Sequence, residues 1–135
     1  AGPKQVTLFD QTIVSLEDIG RNFYCNESQI GKSTRAEACL TQLKELNPVC
    51  SVNTTNEDSI EYISKNFECV VVLDNHNREY LIKLNKACRD SKVGFILAGN
   101  LGLYGYTFVD FGEAHKVFDL TGEESKLIHL AGITQ

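Results

Sequence analysis

The sequence predicts an α/β doubly wound fold: a Rossmann-like parallel sheet with flanking helices and an antiparallel extension. Three observations predict it. Short β-rich runs alternate with helical periodicities, two of the runs (residues 69–73, CVVVL, and 95–98, FILA) are apolar without interruption, and glycine-punctuated strands take over after Ala98. An uninterrupted apolar strand is the mark of a strand covered on both faces, so residues 69–73 are expected at the sheet centre.

Residues 6–9 (VTLF) form the first short strand, ending on Asp10, and residues 11–19 read as a loop because no periodicity runs through them. From Lys32 to Leu46, Ala36, Cys39, Leu40, Leu43 and Leu46 recur at spacings of three and four, which places them on one face of a helix that Asn47-Pro48 ends. Residues 49–52 are strand-like. Asn56, Asp58 and Ser59 then offer caps for a short helix with Ile60, Ile63 and Phe67 on one face. Residues 78–89 are helical with Leu81, Leu84 and Cys88 inward, and residues 106–111 and 115–120 are expected to pair as an antiparallel hairpin across Gly112-Glu113.

With 135 residues, 42% of them hydrophobic, the chain can build one domain with its own core. A net charge of -5, with 13 scattered Lys and Arg against 18 acids, disfavours nucleic acid and anionic membranes as partners. Five cysteines without a CxxC or Cys/His cluster suggest neither a disulfide framework nor a zinc site, which fits a reducing compartment. No apolar run approaches the length of a membrane span, and the glycosylation patterns at Asn26 and Asn53 are read as fortuitous.

Two glycine motifs fail on their context. Gly31-Lys32-Ser33 ends like a phosphate-binding loop, but Asn26 stands where the required first glycine would be, and no strand precedes it. Gly99, Gly102 and Gly105 lack the dinucleotide spacing and lead into a strand, so they read as turn and close-approach glycines. Polar strand ends are more suggestive: Asp10, Asp74-Asn75 and Asn100 all fall where an α/β sheet places its ligand crevice. No Ser/His/Asp or Cys/His pairing is legible, so no catalytic residue is assigned.

The run from VTLFDQ to ELNP, then VVVLDN at 70–75, GLYGYTFVDFGE at 102–113 and DLTGEE at 119–124 together resemble the ubiquitin-activating enzymes, in the repeat known as the inactive adenylation domain of the ThiF/MoeB-like family. The resemblance implies an enzyme that, at full length, uses ATP and Mg to adenylate the ubiquitin C-terminus and then forms a thioester elsewhere. It implies cytoplasmic and nuclear localisation, and partners in a second, active adenylation domain, ubiquitin and ubiquitin-conjugating enzymes. Asp10 matches the family's ribose aspartate, Arg21 its phosphate-side arginine, Lys32 its lysine region and Asp74 its metal-motif aspartate, all as vestiges of a nucleotide site. No cofactor or metal is expected on this segment itself. Under this reading residues 1–120 are a partial adenylation domain that lacks its first strand and glycine-rich loop, and residues 121–135 start the next domain or a linker. The rival readings are an adenylation subunit for another modifier of the SUMO type, a sulfur-carrier adenylyltransferase, and a Rossmann-like binding module without nucleotide.

Overall fold

The computed structural model describes residues 2–73 and 77–117. Within them the order is β1 (Gln5–Leu8), α1 (Leu16–Ile19), a 3-10 turn (Glu27–Gln29), α2 (Arg35–Leu46), β2 (Ser51–Thr54), α3 (Ile60–Asn66), β3 (Cys69–Leu73), α4 (Arg78–Asp90), β4 (Gly94–Leu101) and β5 (Tyr104–Asp110). The predicted alternation of strands and helices is therefore present. β1 pairs with β2 in parallel, β3 pairs with β4 in parallel, and β4 pairs with β5 antiparallel.

Capping residues decide where the helices begin. Thr34 accepts from the backbone N–H of Glu37 at 3.2 Å while the Glu37 carboxylate accepts from the N–H of Thr34 at 3.0 Å, so α2 starts at Arg35 rather than at Lys32. Ser59 and Asn77 cap α3 and α4 in the same sense, each side chain accepting from the N–H three residues on. α4 ends on a tight turn in which Lys92 adopts φ 60° and the Val93 N–H donates to the Cys88 carbonyl at 2.8 Å.

Among the described residues two apolar clusters form the interior. Val14, Cys25, Ala38 and Cys39 pack together where the segment after β1 crosses α2, joined by Ile19, Tyr24, Ile30 and Leu43. Leu84, Cys88, Val93 and Phe95 form the second between α4 and β4, with Ile60 and Ile63 of α3 and Val70 and Val72 of β3 against it. Full burial of a side chain such as Leu84 stabilises the fold by about 1.5–3 kcal/mol.

Several sequence expectations are corrected. β3 is an edge of its sheet among the described residues, and only one of its faces is covered: Val71 is 57% and Leu73 68% exposed, while Val70 and Val72 meet the core. The apolar run predicts coverage on both faces, but α3 and α4 cover only one. The hairpin is also displaced. β5 turns back directly on β4, with Leu101 opposite Tyr104 and the turn made by Gly102-Leu103, where Gly102 has φ 67°. A positive φ at the first central residue is what a two-residue hairpin turn of this kind requires, and glycine adopts it without strain. Residues 115–117 are not strand, and the remainder of the expected second strand lies outside the described residues, as does the proposed boundary at residue 121. Residues 11–19, read as a loop, contain the one-turn α1, and Leu46, expected on the buried face of α2, is 66% exposed.

Candidate functional site

The segment between β1 and α2 is laid back on itself by backbone hydrogen bonds: Gly31 N–H to Val14 O at 2.9 Å, Val14 N–H to Ser33 O at 3.0 Å and Arg35 N–H to Thr12 O at 2.9 Å. This brings the first residue of α2 beside the end of β1. Arg35 places Nη2 at 2.9 Å from Asp18 Oδ1 and Nη1 at 3.8 Å from Asp10 Oδ2. Asp10 also accepts from the Thr12 N–H at 2.9 Å, an Asx turn that starts the loop.

Asp18 is buried and accepts from the backbone N–H of Ser15 at 2.8 Å and its hydroxyl at 2.9 Å. The Ser15 N–H and then the Arg35 guanidinium hold its carboxyl below the usual carboxylate range, and Asp18 in turn raises Arg35. Arg35 Nε is buried without a partner among the described residues. The guanidinium therefore spends its outer donors on two carboxylates and leaves its inner one unused. Sequence reading missed this pairing; the Ser15-x-x-Asp18 box before a short helix and an arginine directly after the Thr34 cap were the available signals.

Three of the four predicted site residues are described, and none of the three is ion-paired with another. Asp10 lies at the end of β1 as expected, but its cation is Arg35. Arg21 is exposed and pairs with Glu17 at 3.4 Å, one turn away, and Lys32 is exposed on the turn before α2. Asp74 lies outside the described residues. Among the described residues no group of three or more His, Cys, Asp or Glu side chains could hold a metal. Asp10 thus lies 3.8 Å from Arg35 while Arg21 and Lys32 stand at the surface, and no chemical step through ATP is derived from these residues.

The C-terminal ends of β3 and β4 carry a cavity of about 310 Å³ lined by Leu73, Ala98, Gly99, Asn100, Tyr106 and Thr107. The Tyr106 phenol crosses Gly99 so closely that a Cβ there would lie 2.5 Å from its oxygen. Farther along β5, Asp110 accepts from Arg89 Nη1 through both oxygens at 2.8 Å, from Asn85 Nδ2 at 3.1 Å and from the Gly112 N–H at 2.9 Å. The Gly112 N–H first, then Asn85 and Arg89, hold Asp110 below the usual range. This cluster ties α4 to the end of β5, and Asn85 Oδ1 is buried in it without a hydrogen-bond partner among the described residues.

Parallel strand pairs with flanking helices and an antiparallel β5, which among the described residues form a two-stranded and a three-stranded sheet, define a Rossmann-like α/β protein. The chain belongs to the ThiF family, whose pattern it matches over residues 1–126. It is 34% identical over all of its length to "Ubiquitin-like modifier-activating enzyme 1" of Dictyostelium discoideum, and 36% identical over 99% of its length to "Ubiquitin-activating enzyme E1 1" of Schizosaccharomyces pombe. It is likewise 36% identical over all of its length to "Ubiquitin-like modifier-activating enzyme 6" of Homo sapiens. The chain spans about 13% of the length of each of these relatives. Among solved structures, E. coli MccB with MccA superimposes with a TM-score of 0.61 at 22% identity, covering 78% of this chain and 33% of that one, which supports the fold.

Proposed function

We propose that this chain is the noncatalytic adenylation half of a ubiquitin-activating enzyme, serving as scaffold for a second, active adenylation domain and helping to dock ubiquitin. The observation that carries the reading is identity of 34–36% across essentially the whole chain to relatives named for ubiquitin and ubiquitin-like activation, over about 13% of their length. The internal pairing of Asp10 with Arg35 is consistent with a scaffold role, because it gives the strand-end aspartate a partner within its own fold.

In this reading ATP and Mg act at the partner domain, the enzyme as a whole is an ATP-dependent ligase of the cytoplasm and nucleus, and ubiquitin-conjugating enzymes are met by other domains. Residues 1–120 are then part of one adenylation domain. The β1 and β3 edges and the open face at Val71 and Leu73 are where the rest of that domain would pair and pack.

The test is association. A longer chain that includes the preceding residues of the natural protein, mixed at micromolar concentration with its second adenylation domain, is expected to elute from size exclusion as one complex. Separate elution of two folded proteins would overturn the scaffold reading.

A further inference from the structure

The chain leaves β5 through a corner that is held from both faces of the sheet. On the α4 face, Asp110 accepts from Arg89 Nη1 through both oxygens at 2.8 Å, from Asn85 Nδ2 at 3.1 Å and from the Gly112 N–H at 2.9 Å. The last of these closes an Asx turn, which Gly112 completes at φ 81°, a left-handed backbone that glycine adopts without strain. Successive side chains of an extended chain point to opposite faces, so Phe111 lies on the other side. There its ring crosses Gly94, the first residue of β4, so closely that a Cβ on Gly94 would meet Cδ1 and Cε1 at 2.7 Å. From beyond the turn, His115 stacks on that ring with centroids 4.6 Å apart and an interplanar angle of 23°.

The β4–β5 ladder already ends at the Phe95–Asp110 pair, so the contacts made by Phe111, Gly112 and His115 are not needed to complete it. Each of them orders a group at a cost in conformational entropy. Their common effect is on the path of the chain. Arg89 on both carboxylate oxygens fixes how Asp110 is turned, and the ring wedged between Gly94 and His115 stops the next residue from swinging to the opposite side. We propose that Asp110 and Phe111, anchored on Arg89 and Gly94, form a two-sided clamp that fixes the direction in which the chain leaves the sheet, so that the segment it leads into is presented at a set angle to this domain. Either face alone would leave the corner free to pivot about the other.

The test uses the full-length protein carrying this segment, with spin labels on unnatural residues at exposed positions. One pair, Lys83 on α4 and Val117 past the corner, reads the direction of exit; a second, Lys83 and Thr107 within β5, reads whether the strand itself is in place. Electron–electron resonance should give one narrow distance distribution for each pair in the wild type. Gly94→Ala displaces the Phe111 ring and Arg89→Ala releases Asp110; each should at least double the width for Lys83–Val117 and leave Lys83–Thr107 narrow. A broad Lys83–Val117 distribution in the wild type, or an unchanged width in the variants, would overturn the proposal. Equal broadening of both pairs would overturn it too, since β5 as a whole would then have come loose. If Arg89→Ala fails to fold, the wild type and Gly94→Ala decide the matter, because Gly94→Ala removes none of the groups that hydrogen-bond to Asp110.

Discussion

Arg35, the first residue of α2, sets its guanidinium 2.9 Å from Asp18 and 3.8 Å from Asp10, so one cation closes the loop between β1 and α2 onto both carboxylates. Asp18 is the more buried partner. Its carboxyl is held below the ordinary value near 3.9, so the pairing contributes stability that is fully present above that value and is lost as pH falls through the lower, folded one. Arg35→Met is therefore expected to lower the denaturation midpoint at pH 7, with a deficit that shrinks in acid as Asp18 protonates. Urea melts at pH 7 and below pH 4 would show it; an equal deficit at both would assign the loss to packing alone.

The same sign holds for Asp110, lowered by the Gly112 N–H, Asn85 and Arg89. Asp110→Asn should reduce stability near neutrality and flatten the fall below about pH 4, where the native carboxylate takes up its proton. A titration of stability with pH that falls as steeply in the variant as in the wild type would contradict this assignment.

Helix ends offer two changes of opposite sign. Thr34→Ala removes the side-chain acceptor of the capping box on α2 and should cost about 1 kcal/mol. Lys92→Gly relieves a left-handed backbone at φ 60° after α4 and should stabilise by about 0.5–1 kcal/mol. Thermal or denaturant unfolding of the two variants beside the wild type checks both directions.

Gly99 is required by Tyr106 rather than by its own backbone. A Cβ at Gly99 would lie 2.5 Å from the phenol oxygen and 2.7 Å from Cζ, so Gly99→Ala must push the ring aside and should cost about 1–3 kcal/mol. In a Tyr106→Ala background the penalty should largely vanish. A double-mutant cycle showing additive losses would place the strain elsewhere.

How much of this was legible in the sequence follows from which physical signal each feature carries. α2 and α4 announce themselves by apolar spacing, and β3 and β4 by their apolar runs, because those patterns are local. The coverage of β3 was misjudged because an uninterrupted apolar run says nothing of which element covers each face, and among the described residues Val71 and Leu73 are exposed. The hairpin was set too far along the chain because Gly112-Glu113 resembles a turn as well as Gly102-Leu103 does, and only the register of β4 on β5 separates them. At the candidate site Asp10 was found from its place at a strand end. Its partner Arg35 was not, since the contact depends on how residues 12–14 fold back against residues 31–35.

In the proposed function this domain supports adenylation without binding the nucleotide itself. Arg21 and Lys32 are both exposed, and the Arg21–Glu17 pair is worth only about 0–1 kcal/mol, so an Arg21→Ala/Lys32→Ala double variant should fold normally. The direct measurement is ubiquitin-dependent ATP–pyrophosphate exchange by the full-length enzyme carrying that double variant. An unchanged exchange rate is expected. A loss of about a hundredfold or more, the scale expected when donors to a reacting phosphate are removed, would contradict it.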